Sequence, residues 1–227
     1  MALQIFGSNS IGAGIRVDLT TADDVFIAAG VTVGSTSGTA ITGSGSSHAV
    51  NIQGTVLGNF DVVILGDNGA VDSGHDLIVG SNGYLGQFSG SGYGASISGY
   101  SSTVENSGTI WSAYLGVLIS ATNAATQSTV TNTGLIDGKS YGIYHSGTET
   151  LVVQNSGTIK SAFTAYAGSE GIDQITNTGT IRGIVSLGGG NDIFDTQLGT
   201  LVGTVNAGTG TDKLYGSALA DAFYGRR

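Results

Sequence analysis

Short apolar, β-branched runs alternate along the whole chain with segments of Gly, Ser, Thr and Asn. Residues 62–65, 117–119 and 151–153 are runs of Val, Ile and Leu. Each has the length and apolar content of a short buried strand. Glycine interrupts nearly every window in which a helix could propagate, and no window keeps the apolar spacing of a helix. The pattern predicts an all-β fold made of many short strands.

A seven-residue motif repeats in the second half of the chain. It reads apolar-x-Asn-Ser/Thr-Gly-Thr/Leu-Ile and occupies residues 104–110, 130–136, 153–159 and 175–181. Its asparagines are 26, 23 and 22 residues apart, as in solenoids whose repeats each form one coil. Weaker echoes begin at Asn51, Asn68 and Asn82. We therefore expect the first half to contain degenerate or shorter coils of the same architecture.

Each motif fits two strands that flank a bend. Asn and Gly tolerate left-handed backbone angles, so we expect the bend to use them. A further apolar strand follows the motif, as in residues 115–119 and 141–144. The chain has no proline, which agrees with coils that need every N–H for pairing. The predicted fold is a parallel β-helix (β-solenoid) with about 20–26 residues per coil, ending in β-roll-like Gly/Asp turns.

Stacked coils would bring the motif asparagines into one column. Coils about 4.8 Å apart allow each side-chain amide to donate a hydrogen bond to the next, as in an internal ladder. The alternative is a surface turn that selects Asn for its backbone angles alone. Both interpretations are structural. The column comprises Asn106, Asn132, Asn155 and Asn177.

The chain divides into three regions by its repeats. Residues 1–100 are predicted to form degenerate coils, with room for an N-terminal cap or a short helix in the first twenty residues. Residues 101–186 are predicted to form regular coils. Residues 187–227, rich in Gly and Asp, are predicted to continue the solenoid.

Three Gly/Asp segments in the last region, 187–195, 207–216 and 217–225, follow a common pattern. They resemble the calcium-binding nonapeptide of the RTX (haemolysin-type) family, Gly-Gly-x-Gly-x-Asp-x-hydrophobic-x. The resemblance implies Ca²⁺ as a cofactor, because that ion takes about six to eight oxygen ligands from a flexible cage. The residues that match the family's ligand positions are Asp192, Asp212, Asp221, Gly190 and Gly210.

The match to the nonapeptide is incomplete. Leu187 and Ala207 replace the first family glycine, and Leu219 replaces the second turn glycine of the third copy. Asp192 and Asp212 are also further apart than two nonapeptides. At most one or two calcium sites are expected. In the alternative interpretation, these aspartates only close corners by accepting backbone N–H bonds, as in Asx turns.

Charge and composition narrow the classes of partner. Lys and Arg number 7 against 16 Asp and Glu, for a net charge of −9, so nucleic acid is not an expected partner. No apolar stretch approaches the ~18 residues of a membrane span, and the N-terminus does not read as a signal peptide. The absence of cysteine is compatible with either redox environment.

The Asn-Thr-Gly-Thr-Ile units that run into the Gly/Asp turns are similar to those of autotransporter passengers and type I-secreted adhesins. That resemblance implies an extracellular or bacterial cell-surface location. The leading hypothesis is a non-enzymatic structural or adhesive protein that is stabilised by calcium and associates end to end into filaments or layers. The rival is a polysaccharide-acting β-helix enzyme, a lyase or epimerase of uronate polymers, or its calcium-binding accessory module.

Some polar residues outside these motifs are further candidates. One residue follows each motif's Ile, and these four would form an outward column suited to a cell-surface polysaccharide or to plain solvent. The column comprises Trp111, Asp137, Lys160 and Arg182. His48, His75 and His145 are isolated and are expected at surfaces or turns. Asp72, His75 and Asp76 form the densest polar group of the first half.

Overall fold

The computed structural model describes residues 2–20, 23–67, 71–88, 92–217 and 221–225, and these residues form strands and turns without any helix. Three strands occupy the first twenty residues, where the sequence allowed a short helix. In chain order the strands are β1 (Leu3–Phe6), β2 (Ser10–Gly12), β3 (Val17–Leu19), β4 (Asp24–Ile27), β5 (Thr32–Ser35), β6 (Ile41–Gly43), β7 (Ala49–Ile52), β8 (Thr55–Gly58), β9 (Val63–Leu65), β10 (Asp76–Val79), β11 (Tyr84–Gln87), β12 (Tyr93–Ser98), β13 (Thr103–Asn106), β14 (Thr109–Ser112), β15 (Leu115–Ala121), β16 (Gln127–Asn132), β17 (Leu135–Gly138), β18 (Tyr141–Gly147), β19 (Thr150–Asn155), β20 (Thr158–Ala167), β21 (Asp173–Asn177), β22 (Thr180–Ser186), β23 (Ile193–Asp195), β24 (Thr200–Val202), β25 (Thr204–Asn206), β26 (Lys213–Tyr215) and β27 (Ala222–Tyr224).

The strands form three stacks in which each strand pairs in parallel with its counterpart one coil away. The first stack runs β1-β4-β7-β10-β13-β16-β19-β21-β23-β26. The second runs β2-β5-β8-β11-β14-β17-β20-β22-β24. The third runs β3-β6-β9-β12-β15-β18-β20-β22-β25-β27, because β20 and β22 turn the corner and serve both stacks. The chain is a parallel β-solenoid of about nine coils, which confirms the predicted fold class.

One hydrophobic core fills the solenoid along its length, from Val17 to Val205. Side chains alternate between inside and outside along most strands, so the coils add Val, Ile and Leu residues to this core. The stacked contacts are 27 residues apart between His75 and Ser102 but only 19 between Asp173 and Asp192. The first-half coils are therefore longer than those near the C-terminus, so the expectation of shorter coils in the first half was wrong.

The predicted asparagine ladder is confirmed. Asn106 donates from Nδ2 to Oδ1 of Asn132, Asn132 to Asn155, and Asn155 to Asn177, each over 2.7 Å. Asn177 then donates to the hydroxyl of Thr196 over 2.9 Å. The second amide proton of each donor binds a backbone carbonyl, as Asn132 does with that of Thr158. The ladder thus ties the first stack to the start of the second.

The motif glycine has a different role from the predicted one. Gly108, Gly134, Gly157 and Gly179 are absent from the residues of positive φ, so the bend does not use left-handed angles there. A Cβ on Gly134 would instead lie 2.1 Å from the carbonyl oxygen of Gly108, one coil away. Glycine is required because neighbouring coils approach closely at this position.

Candidate functional site

One inward position at the start of the first-stack strands forms a column that is polar in most coils, here called the corner column. It lies four residues before the asparagine ladder, so the register places its members one above another. Its members in successive coils are His48, His75, Ser102, Ser128, Leu151, Asp173, Asp192 and Asp212. Two of the aspartates proposed as calcium ligands are therefore in this column.

Asp192 and Asp212 bind the backbone of the preceding coil. Oδ1 of Asp192 accepts the N–H of Asp173 over 2.9 Å, and Oδ1 of Asp212 accepts the N–H of Asp192 over 3.1 Å. Ser102 and Ser128 do the same for His75 and Ser102 with their hydroxyls. Corner closure by side chains that accept N–H bonds is thus a common property of this column.

Two aspartates of the corner column are buried with an incompletely hydrogen-bonded carboxyl group. Asp173 and Asp192 are completely buried, and Oδ2 of each has no hydrogen-bond partner. Burial raises the pKa of Asp192 to about 7, and the neighbouring Asp173 and Asp212 carboxylates add to this increase. Burial also raises the pKa of Asp173, although its bond to His145 opposes the shift. This pair would gain from a proton or a cation nearby.

Asp173 connects the column to a buried polar cluster that the sequence interpretation missed. His145 Nδ1 lies 2.6 Å from Oδ1 of Asp173, and both side chains are fully buried. Burial, together with Asp173, raises the pKa of Tyr166 well above its usual value. Asp173 stands four residues before Asn177, as Asp192 stands before Thr196. Alignment of the column on the ladder would therefore have found it.

Glycine turns precede both aspartates. Gly188 and Gly190 have φ values of 91° and 124°, and the equivalent Gly208 and Gly210 have 84° and 131°. Left-handed angles are strongly disfavoured for residues with a side chain, so these turns require glycine. Their backbones pair across coils, since Gly190 donates its N–H to the carbonyl of Thr209 over 3.0 Å.

Asp221 lies apart from the other two predicted ligands. It precedes β27 in the third stack, whereas Asp192 and Asp212 belong to the first-stack corner. Its Oδ2 accepts the N–H of Ser217. Residues 218–220 of this third copy lie outside the described residues.

Side chains alone do not complete a metal cage. Across the described part of the chain, no group of three or more His, Asp or Glu side chains is arranged to hold one metal ion. The Oδ1 atoms of Asp192 and Asp212 are already engaged with backbone N–H groups. A cation at this corner would need the free Oδ2 of Asp192 together with backbone carbonyl oxygens.

The outward column predicted to follow the motifs is present on the second stack. Trp111 pairs with Asp137, Asp137 with Lys160, and Lys160 with Arg182. Nζ of Lys160 lies 3.0 Å from Oδ2 of Asp137. This partly exposed ion pair satisfies both charges in a sheet face that is open to solvent.

The histidines were expected at surfaces or turns: His48 and His75 do lie in turns between strands, but the surface part of the expectation was wrong. His48, His75 and His145 are all fully buried at the corner between the third and first stacks. The rings of His48 and His75 stack with centroids 5.5 Å apart. Burial, with the charge of His48, lowers the pKa of His75 to about 4. The coils are wide enough at this corner to enclose an imidazole ring. An isolated His in the sequence does not indicate that its side chain is buried.

The remaining polar group of the first half lies beside this histidine stack. Asp72 is 6% exposed and accepts the N–H of Asp67 through Oδ2, which is a turn-closing contact. Asp76 is exposed and accepts the hydroxyl of Thr103. Asp72, His75 and Asp76 therefore do not form one functional centre. The two aspartates have structural hydrogen-bond partners, and His75 is buried.

These features define the class of the protein, a parallel β-solenoid repeat protein. No protein-family model matches the sequence, and neither curated proteins nor solved structures give a match. Over the ranges that the structure describes, there is no helix with the length and apolarity to cross a bilayer.

Proposed function

We propose that this chain is a rod-forming structural or adhesive protein of the cell surface or the secreted fraction, without enzymatic activity. The observation that carries the proposal is the unbroken stack of coils with a single core and continuous ladders. Nearly all inward residues serve coil stacking, as in solenoids that present long surfaces to partners. The RTX and adhesin resemblances of the repeats supply the location.

Calcium is the proposed stabiliser of the C-terminal coils. Asp192 and Asp212 would hold it, with Gly190 and Gly210 allowing carbonyl oxygens to approach, and the free Oδ2 of Asp192 fits such a role. Asp221 would belong to a second site at the other corner. When bound, Ca²⁺ would neutralise the carboxylate charge that burial makes unfavourable.

Thermal unfolding in Ca²⁺ and in EGTA tests this stabilisation. We expect Ca²⁺ to raise the melting temperature, because binding to the folded state alone stabilises it by about 2.7 kcal/mol at 100-fold excess over Kd. Asp192→Asn should abolish the calcium response. Asp18→Asn, which changes an exposed carboxylate of the first coil, should keep it. Identical melting curves in Ca²⁺ and EGTA for the wild type would end the calcium proposal.

End-to-end association is the proposed route to larger assemblies. Strands β1 and β26 lie at the two ends of the first stack, and Leu3 and Ile5 of β1 are 59% and 67% exposed. Unpaired strand edges are ready templates for pairing with another chain. Electron microscopy of the purified protein with and without Ca²⁺ should show filaments or layers. Isolated monomeric rods under both conditions would contradict this route.

A polysaccharide-acting enzyme is the second candidate, and the Asp137, Lys160 and Arg182 column favours it. The Asp137 carboxylate could abstract a proton from a uronate, and the neighbouring Lys160 and Arg182 could stabilise the resulting negative charge. Incubation with a panel of uronate polymers would reveal a lyase by unsaturated products that absorb in the ultraviolet, and an epimerase by altered polymer composition. The structural proposal predicts no turnover.

A further inference from the structure

An exposed aromatic ridge runs along the corner between the second and third stacks. It consists of Phe60, Phe88, Tyr114, Tyr141 and Phe163, one from each of five successive coils. Phe60, Phe88 and Phe163 are at least half exposed, and Tyr114 is 36% exposed. With coils about 4.8 Å apart, the ridge is about 20 Å long. Tyr114, Tyr141 and Phe163 lie in direct contact or around one cleft, and large exposed apolar side chains grouped in this way mark an interaction surface.

The backbone under the ridge is held by buried hydroxyl groups. The hydroxyl of Ser112 accepts the N–H of Tyr114 over 2.9 Å, and that of Ser161 accepts the N–H of Phe163 over 3.0 Å. Ser140 and Tyr141 both donate their N–H groups to the carbonyl of Tyr114, which links two coils. The aromatic residues thus project from a fixed scaffold, which lowers the entropy cost of binding.

A cleft of about 340 Å³ opens at the C-terminal part of the ridge. Tyr114, Ser140, Tyr141, Phe163 and Thr164 line it. The ring centroids of Tyr114 and Tyr141 are 5.9 Å apart, with planes at 81°. One ring therefore presents a face where the other presents an edge. The lining combines three aromatic rings with hydroxyl groups and has no charged residue.

We propose that this ridge binds a neutral, extended polysaccharide, with the cleft holding one or two sugar rings. Aromatic faces pack against the C–H faces of a pyranose, while the Ser140, Thr164 and tyrosine hydroxyls can bond its hydroxyl groups. The step from coil to coil is close to the length of one sugar unit. This inference rests on the proposed adhesive function and names the ligand class of that function.

Charge and size favour a neutral glycan over other occupants. The net charge of −9 opposes a polyanion, and the cleft lining supplies no cation to offset it. The cleft volume of about 340 Å³ suits one or two sugar rings rather than a folded partner.

Isothermal titration calorimetry with cellohexaose and chitohexaose tests the site, with polygalacturonate as the acidic probe. The wild type should bind at least one neutral hexasaccharide and should not bind polygalacturonate. Phe163→Ala and Tyr114→Ala should each weaken binding by about two- to tenfold, the loss expected for one aromatic stacking contact. Tyr224→Ala is the matched control, since Tyr224 is 62% exposed like Phe163 but lies in β27. Circular dichroism checks that each variant is folded.

Three results would overturn the inference. They are absence of binding to both neutral hexasaccharides, tighter binding of polygalacturonate, and equal losses in Tyr224→Ala and the ridge variants. Loss of binding in Trp111→Ala alone would place the ligand on the outward column and would also overturn it. The test is distinct from that of the proposed function. If calcium stabilises the protein but no neutral glycan binds, the proposed function stands and only the glycan site is rejected.

Discussion

The two halves of the solenoid fill the same inward column with different chemistry. In the first four coils the column is apolar, with Phe6, Ile27, Ile52 and Val79. In the next four it holds Asn106, Asn132, Asn155 and Asn177, after which Thr196 ends the amide ladder. Parallel pairing continues across the change, since Val79 pairs with Asn106. Coil stacking therefore does not depend on asparagine, which adds hydrogen bonds to a geometry that apolar side chains also support.

The first coil of the ladder marks this boundary with an unsatisfied atom. Oδ1 of Asn106 has no hydrogen-bond partner, because the coil before it offers only the side chain of Val79. Every other asparagine of the ladder accepts a bond at Oδ1 from the coil before it. This difference between the two halves predicts that the stability change caused by an amide side chain depends on the residues directly above and below it in the column.

An asparagine placed inside the apolar half should have the largest effect. Ile27→Asn would bury an amide between Phe6 and Ile52 and should lower the free energy of unfolding by about 4 kcal/mol. Val79→Asn should lower it by about 2 kcal/mol less, because its amide can donate to Oδ1 of Asn106. Equilibrium urea unfolding measures both values. Equal losses in the two variants would show that the boundary does not matter.

The glycine that precedes each second-stack strand from β8 onward should be needed equally in both halves. A Cβ on Gly134 would lie 2.1 Å from the carbonyl oxygen of Gly108, and one on Gly54 would lie 2.3 Å from that of Val31. Alanine at either position should reduce the free energy of unfolding by about 3 kcal/mol, since a stacked backbone must move. Gly7→Ala is the control, because nothing lies within 4 Å of its Cβ. A mild effect at Gly54 alone would mean looser coil packing in the first half.

Interruption of the ladder at its centre should have an intermediate effect. Asn132→Ala removes one of the two acceptors of Asn106 Nδ2 and the donor to Oδ1 of Asn155, and should cost about 2 kcal/mol of unfolding free energy. Thr131→Ala, at the adjacent outward position, should change stability by less than about 0.5 kcal/mol. Urea unfolding of the two variants is the check. If Asn132→Ala is as stable as Thr131→Ala, the ladder bonds do not contribute to stability.

The smallest expected effect is a pH dependence at His75. Its folded pKa of about 4 lies below the ordinary value of 6.5, so the unfolded chain binds the proton more tightly. The stability that neutral His75 supports is complete well above pH 6.5 and decreases as pH falls toward 4, by about 1.8 kcal/mol between pH 7 and 5.

Asp192 acts in the opposite direction and must be separated from His75. Its folded pKa is raised from 3.8 to about 7, so its contribution is complete below pH 3.8 and is lost as pH rises toward 7. Subtracting the unfolding free energy of His75→Gln from that of the wild type cancels the Asp192 contribution, because both proteins contain Asp192. That difference should decrease on acidification. A constant difference between pH 7 and 5 would contradict the assignment.

The sequence allowed the fold and the ladder to be predicted because both depend on a short periodic signal. Asn106 to Asn177 recur at coil spacing with an apolar residue two positions before, and this is enough to fix the register. The first half lacks the signal, since Ile27, Ile52 and Val79 look like any other core residue. Glycine was recognised as necessary at Gly134, but its reason lies in the Gly108 carbonyl of the preceding coil, which a single sequence does not reveal.

The candidate site could be predicted only in part. The Gly-x-Gly-x-Asp pattern identified Asp192 and Asp212, which share one column. Asp173 and His145 complete the buried cluster, but they are 28 residues apart and neither lies in a Gly/Asp turn. Asp221 is separated from Asp192 and Asp212 because its segment lies at a different corner of the solenoid. The coil register determines the corner at which each segment lies.

Hydrogen exchange of backbone amides, measured by mass spectrometry in Ca²⁺ and in EGTA, tests most directly whether the C-terminal coils form a calcium-dependent part of one rod. Calcium should slow exchange around Asp173, Asp192 and Asp212, whose N–H groups and carboxylates are linked across coils. Exchange in the coils of Asn106 and Asn132 should be unchanged, because ladder bonds need no ion. Identical exchange at the three aspartates in Ca²⁺ and in EGTA would contradict the account.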